Sequence, residues 1–277
     1  PKVFQLYMWK DRELVREILA RAKEGGMNAL VLTVDYSWYG NRERDIRNNF
    51  SIPIKYSAAQ VIEAIRKPAW TYDFLSHDPY TYACIDSHIP ADELTAFVDA
   101  QILPDFDWND AEWILGEWNG PAATKGIARP DDAQRAVKTG FSTIWVSNHG
   151  GRQLETSPAT IDVLPSIREA VGPNVEVIVD GGVQRGTDIA KALALGADSV
   201  GVGKPYLYGL TAGGTDGVIK ALEILKVELD RAMGLLGVGS VEDLKKRGPD
   251  LIKRRYSSAR DYPDRNAYER GYGGGVI

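Results

Sequence analysis

The sequence predicts an α/β fold built on a parallel sheet, and three observations carry that expectation. One order recurs at Gly26 to Asp35, Gly140 to His149 and Gly196 to Lys204: a helix closed by Gly, a short apolar strand, then polar residues. Gly suits the left-handed position that closes a helix. The strands are almost continuously apolar, as a sheet buried on both faces requires. Their alternation with helical stretches implies right-handed βαβ crossovers and parallel pairing.

Taken in order, the first strand is expected from Val3 to Met8. Asp11 then caps a helix that runs through Glu24, with Leu14, Val15, Ile18, Leu19 and Ala22 on one stripe. The second strand lies in the Gly26 to Asp35 segment. Between Asp35 and Lys125 comes a long excursion with only short helical patterns; an excursion that long inside a compact domain is usually functional. The third strand is Ala122 to Lys125. Pro130, followed by Asp131 and Asp132, starts a helix that Gly140 stops. The fourth strand follows that glycine, and the fifth is Val175 to Val179. Thr187 and Asp188 open the helix of Ala190 to Leu195. The sixth strand follows Gly196, and a longer helix runs from about Asp216 to Leu236. Lys245-Lys246-Arg247 reads as a solvated helix face. This makes six β/α units of an eight-unit barrel, over residues 1–255, followed by a polar, Gly-rich and aromatic-spotted tail over 256–277.

Composition removes several function classes. The chain has 277 residues, 44% hydrophobic and 26% charged, with a formal charge of −5, an ordinary profile for a soluble globular protein. That charge gives no reason to expect nucleic acid. No apolar run reaches the roughly 18 residues of a membrane span. Cys84 is the only cysteine, so no intrachain disulfide forms, and a reducing, cytoplasmic setting is expected. The chain opens Pro1-Lys2-Val3 and enters a strand at once. Domains seldom start inside an element, so further strands are expected upstream.

In α/β barrels chemistry gathers at the C-terminal ends of the strands. The polar residues there are Gln5 and Tyr7, Thr33 and Asp35, Lys125, Ser147 and His149, Asp180, and Gly203 and Lys204. Polar groups converging at the end of every unit exceed what a structural barrel needs. Asp180-Gly181-Gly182 and Gly203-Lys204-Pro205 follow consecutive strands, where backbone N–H groups and a helix N-terminus can hold a phosphate. The segment Ser147-Asn148-His149-Gly150-Gly151-Arg152-Gln153 is the most specific. A His at a strand end can take a proton near neutral pH, and an Arg three residues on can clamp a carboxylate. A structural His beside a surface Arg stays open as the plainer reading of that segment.

That segment, with Asp180 to Asp188, Lys191 to Ala197, Phe4-Gln5-Leu6-Tyr7, Leu32 to Asp35, Gly40 to Asp45 and Lys125-Gly126-Ile127, resembles the FMN-dependent α-hydroxy acid oxidase/dehydrogenase family. The likeness reaches about Leu244. It implies a TIM (β/α)8-type barrel of which strands 3 to 8 are legible. It also implies FMN as cofactor, a small 2-hydroxy acid as substrate and a homo-oligomer, a tetramer among the possibilities. By the resemblance His149 is the base, Asp35 stabilises its imidazolium, Arg152 and Arg42 bind the substrate carboxylate, and Tyr7 hydrogen-bonds the substrate. Gln5, Thr33 and Lys125 would contact the flavin ring, Asp180 the ribityl chain, and the two Gly turns the phosphate. The role of Ser147 is left open.

Two departures stand out. Gln184-Arg185 replaces the Arg-Arg usual after Gly-Gly-Val, and Lys204 replaces the usual Arg before Pro205. Gln loses the charge and Lys loses the bidentate fork, so looser FMN binding is expected unless Arg185 compensates. Trp38 and Tyr39 are bulky for their loop and fit either a pocket for a larger acid or simple loop packing. The rival functions are another FMN-binding barrel, isomerase-like, and a non-catalytic remnant acting as a binding or assembly piece.

Overall fold

The computed structural model describes residues 1–48, 56–77 and 94–252. Six strands form one parallel sheet: β1 (Val3–Tyr7), β2 (Ala29–Thr33), β3 (Ala122–Ile127), β4 (Thr143–Val146), β5 (Glu176–Val179) and β6 (Ser199–Val200), paired in that order. The register aligns Tyr7 with Thr33, Thr33 with Lys125 and Val146 with Val179. The polar residues that close successive strands therefore sit on one rim. Among the described residues β1 and β6 do not pair with each other, and the sheet is an open, incomplete barrel.

Helices cover one face. Between β1 and β2 lies α1 (Arg12–Glu24), capped by the Asp11 carboxylate, which accepts from the N–H groups of Glu13 and Leu14; Val15, Ile18, Leu19 and Ala22 are buried. The excursion after β2 holds α2 (Glu43–Arg47), α3 (Ala58–Ile65), α4 (Pro68–Ser76), α5 (Leu94–Gln101) and α6 (Trp108–Trp118). Here the structure corrects the expectation of short helical patterns alone. Helix α6 has 11 residues, an Asp107/Asp110 capping box, buried Ala111, Ile114 and Trp118, and Asn119 in the left-handed region as its stop. It is the barrel helix that leads into β3, so the true excursion ends near Asp107. The signal was present but unorthodox, with Asp in place of Glu at the third position of the box.

Helix α7 (Pro130–Thr139) starts on Pro130 and stops at Gly140, whose φ is 120°. Helix α8 (Thr160–Val171) separates β4 from β5, and α9 (Gly186–Ala194) separates β5 from β6. The long helix begins earlier than expected. Helix α10 spans Lys204–Leu235 and is broken at Gly213 and Gly214, so the expected stretch is its second half. Across that break Gly209 and Gly217 pack backbone to backbone; a Cβ on Gly217 would lie 1.9 Å from the Gly209 carbonyl.

Helix α11 (Val241–Leu251) overturns another expectation. Lys245 does not point to solvent: its ammonium pairs with Asp198 Oδ1, while Arg168 pairs with Asp198 Oδ2. The Val177 N–H donates to the same carboxylate at 2.8 Å. One side chain thus ties β5, α8 and α11 together beside β6. The charge run hid this because adjacent residues on a helix face different ways. Cys84 and the 256–277 tail lie outside the described residues. No helix among the described residues is long and apolar enough to cross a membrane.

Candidate active site

The rim of the sheet collects the polar strand ends. His149 sits just past β4 with φ 56°, an uncommon conformation for a non-Gly residue, and Gly150 and Gly151 follow at 68° and 73°. That turn aims the imidazole back across the sheet. Its Nδ1 lies 3.0 Å from Asp35 Oδ1, and both side chains are largely buried. The carboxylate can only accept, so Nδ1–H donates and Nε2 is left free to take a proton.

Gly126 makes this pair possible. Its φ is +109°, and a Cβ there would lie 2.7 Å from both Cβ and Cγ of Asp35. The β3 bulge between Lys125 and Ile127 is the space in which Asp35 stands. Sequence reasoning gave Gly126 no role; a glycine at the end of a strand, directly after Lys125, was the available signal.

Below His149 a second group forms. Ser147 Oγ donates to Asp180 Oδ1 at 2.7 Å and accepts from Lys125 Nζ at 3.0 Å and from the His149 N–H at 3.2 Å. Lys125 Nζ is also 3.3 Å from Asp180 Oδ2. Ser147, whose role the sequence left open, is the joint that holds Lys125, Asp180 and the His149 backbone in register. Gln5 Nε2 donates to Thr33 Oγ1 at 3.0 Å on the neighbouring strands.

Arg42 precedes α2, and its Nη2 donates to Gln153 Oε1 at 3.3 Å. Arg152 follows the His149 turn, and its Nη2 is 3.8 Å from Asp45 Oδ2. The two loops interlock at Gly40, where a Cβ would meet the Arg152 carbonyl at 2.1 Å. Both arginines expected at the site therefore come from one interlocked pair of loops. Two buried polar atoms here have no partner: Asp35 Oδ2 and Arg42 Nε. Buried donors and acceptors are nearly always paired, so the unpaired guanidinium nitrogen of Arg42 is free for an acceptor.

Tyr7 closes the site. Its ring centroid lies 6.5 Å from that of His149. Burial, then the neighbouring Tyr36 and Asp35, push its phenol above the usual value, so it stays a hydrogen-bond donor at neutral pH. Trp38 and Tyr39 border a pocket of about 600 Å³ between the two loops, with Gln153 and Leu154 opposite.

At the far end of the rim, Gly181 and Gly182 have φ of 105° and 70°, and a Cβ on Gly182 or Gly203 would meet nothing within 4 Å. These turns can admit a ligand close to the backbone. The N–H groups just beyond are already used: those of Gln184 and Arg185 donate to Asp188 Oδ2, and that of Gly186 to Glu228 Oε2. Arg185 Nη1 donates to Glu228 Oε1 at 2.9 Å, and the rest of its guanidinium is exposed. The Gly186 N–H, then Arg185, hold the Glu228 carboxyl below its usual range despite the opposing effect of burial. Lys204 is exposed at the start of α10, directly after Gly203.

The family model of the FMN-dependent dehydrogenases matches residues 1–251. This chain belongs to that family. Human 2-hydroxyacid oxidase 1 is 44% identical over 242 residues, covering 87% of this chain and 62% of that protein. The L-lactate oxidase of Nostoc is 42% identical over 244 residues, with 87% and 62% covered. Among solved structures, the monotopic membrane protein (S)-mandelate dehydrogenase superposes with a TM-score of 0.85 at 35% identity, covering 91% of this chain and 66% of that one. The chain spans about three-fifths of the length of the curated relatives it matches.

The residues of this family member fit FMN. Lys125, Gln5 and Thr33 supply a cation, an amide and a hydroxyl on adjacent strands, while Gly182 and Gly203 leave open space beside Lys204. With Gln184 neutral and Arg185 partly engaged by Glu228, that end carries less free positive charge than two arginines would give it. We therefore expect Lys204→Arg to lower the FMN dissociation constant several-fold by restoring a bidentate phosphate contact, measured by flavin fluorescence titration. Equal constants in the two proteins would contradict this.

Proposed function

We propose that this chain carries the base, the carboxylate clamp and the flavin-facing residues of an FMN-dependent enzyme. It would oxidise an (S)-2-hydroxy acid to the 2-oxo acid, with electrons passing to oxygen or another acceptor. The observation that supports this most is the buried His149–Asp35 pair, together with the buried, unpaired Nε of Arg42 on the loop that interlocks with that of Arg152. Another FMN-binding barrel would need the phosphate turns but not that set, and a binding remnant would need neither.

In this reading Arg42 and Arg152 hold the substrate carboxylate and Tyr7 donates to the substrate oxygen. His149 Nε2 takes a proton, and the positive charge it gains is stabilised by Asp35 through Nδ1–H. Lys125, Gln5 and Thr33 hold the flavin ring, Asp180 its ribityl chain, and Gly181, Gly182, Gly203 and Lys204 its phosphate; Gln184 and Arg185 border that end. When bound, FMN supplies the two-electron acceptor. Lys125, braced by Ser147 and Asp180, would supply a cation to the flavin ring. A homo-oligomer, a tetramer included, is proposed for the assembled protein. The test is anaerobic: a 2-hydroxy acid should bleach the flavin absorbance of the FMN-loaded protein. No bleaching by lactate, glycolate or mandelate would count against the reading.

A second reading concerns where the protein works, and α3 with α4 favours it. Ile62, Ile65, Trp70, Tyr72 and Leu75 are all more than half exposed on these two helices. Trp70 and Phe74 stack at 5.2 Å. Arg66 and Lys67 lie between the helices, with Lys67 paired to Glu63 at 2.9 Å. Apolar and aromatic side chains beside cations suit the boundary of an anionic lipid surface, which would place the protein on a membrane rather than free in the cytoplasm. A Trp70→Ser/Leu75→Ser protein should co-sediment with phosphatidylglycerol vesicles several-fold less than the parent. Equal sedimentation of the two would dismiss the idea.

A further inference from the structure

Gln153 directly follows Arg152 and has no part in the proton transfer. Its backbone is pressed against Gly40: a Cβ on that glycine would lie 2.7 Å from Gln153 Cα and 2.8 Å from its carbonyl oxygen. Both ends of the Gln153 amide are then used on the loop that runs into α2. Nε2 donates to the Trp38 carbonyl at 2.8 Å, and Oε1 accepts from Arg42 Nη2 at 3.3 Å. One side chain thus spans that loop from Trp38 to Arg42. The partner it offers Arg42 is neutral. Arg152 differs, since its Nη2 faces a carboxylate, Asp45 Oδ2, at 3.8 Å. The Arg42 charge also reaches Tyr7. Burial, then Tyr36 and Asp35, push that phenol up, and Arg42 pulls against them.

We propose that Gln153 is a positioning residue for the carboxylate clamp: it fixes the Arg42 guanidinium without neutralising it, so that Arg42 meets an incoming carboxylate at full charge. This rests on the function proposed above, in which Arg42 binds the substrate carboxylate. An arginine with no partner loses rotamer freedom when it binds, and that weakens the contact. An arginine held by Asp or Glu is ordered beforehand, but its partner competes with the substrate for the same N–H groups. A glutamine avoids both effects. It accepts from one nitrogen of Arg42 and leaves the buried, unpaired Nε to the ligand. An amide suits both neighbours at once, because the Trp38 carbonyl requires a donor and the guanidinium an acceptor.

The experiment measures two dissociation constants, that of pyruvate from the flavin spectrum of the FMN-loaded protein and that of FMN by flavin fluorescence. Gln153→Met nearly keeps the side-chain volume and removes the amide. It should raise the pyruvate constant about tenfold, the size of one hydrogen bond to a charged group, with the FMN constant unchanged. Gln153→Glu should raise it further, because a carboxylate neutralises Arg42 and leaves the Trp38 carbonyl without a donor. In an Arg42→Met protein, itself weak for pyruvate, adding Gln153→Met should change the constant by about twofold at most, since the pair acts as one unit. A glutamine that only holds the loop together would cause the same loss in both backgrounds. That result overturns the inference, as does an unchanged pyruvate constant in Gln153→Met or a loss of FMN in step with it. If Arg42→Met binds pyruvate as tightly as the parent, the proposed clamp itself fails, and this inference with it.

Discussion

Replacing His149 by Gln is expected to slow anaerobic flavin reduction by about 10²-fold or more while FMN stays bound. The reason is geometric. His149 touches the Lys125–Ser147–Asp180 group only through its backbone N–H, so a side-chain change spares the residues assigned to the flavin. Gln can still donate to Asp35 but cannot accept a proton at neutral pH. Stopped-flow reduction by saturating substrate, with flavin content measured on the same sample, separates the two effects. A near-normal rate would mean that the proton leaves by another group. Loss of flavin in step with loss of rate would mean that His149 holds the cofactor site together instead.

The second large effect is on stability. Asp198→Asn keeps the shape of the clamp but removes the charge that faces Arg168 and Lys245. Breaking a buried pair costs several kcal/mol. Because these side chains are 19–34% exposed, a smaller loss of about 2 kcal/mol is expected, a fall in Tm of about 4–8 °C. The pH dependence has a definite sign. Burial alone would raise the Asp198 carboxyl, but the hydrogen bonds from Lys245 and the Val177 N–H, with Arg168 beside them, outweigh it and leave it below its usual value. A depressed carboxylate stabilises the fold above its unfolded pKa, and this is lost as pH falls through the folded value. The gap between parent and variant should therefore be full at pH 6–7 and shrink below about pH 4. A gap constant down to pH 3 would show that charge is not what the clamp uses.

Legibility in the sequence followed the range of the interactions. Asp11, Pro130 and Gly140 act on their own helices, so the termini they set were readable from a few residues. Strand order was readable because each β/α unit adds to the next. The rim residues were readable because their strands end together. What stayed hidden was long-range. Nothing near Gly126 in sequence says that Asp35 will stand against it, and nothing near Lys245 names Asp198. Arg185 looked free for a phosphate because its partner, Glu228, lies far along α10. Tyr36 drew no notice because a tyrosine after an aspartate has no pattern; only the fold puts it beside Tyr7.

The strand order also bears on how the chain assembles. Each described strand pairs with its neighbour in sequence, so most pairings close short segments. The junction of β2 with β3 is the exception, since residues 34–121 intervene. Closing that stretch costs about 1 kcal/mol more than closing a β/α unit of ordinary length, a penalty met before the contact rewards it. Two nuclei are the natural outcome, β1 with α1 and β2 on one side and the run from α6 to β6 on the other. The segment that carries Asp99 and the aromatic helices is thus the hinge of the folding route, and shortening it should speed the docking of the two nuclei while leaving each of them unchanged.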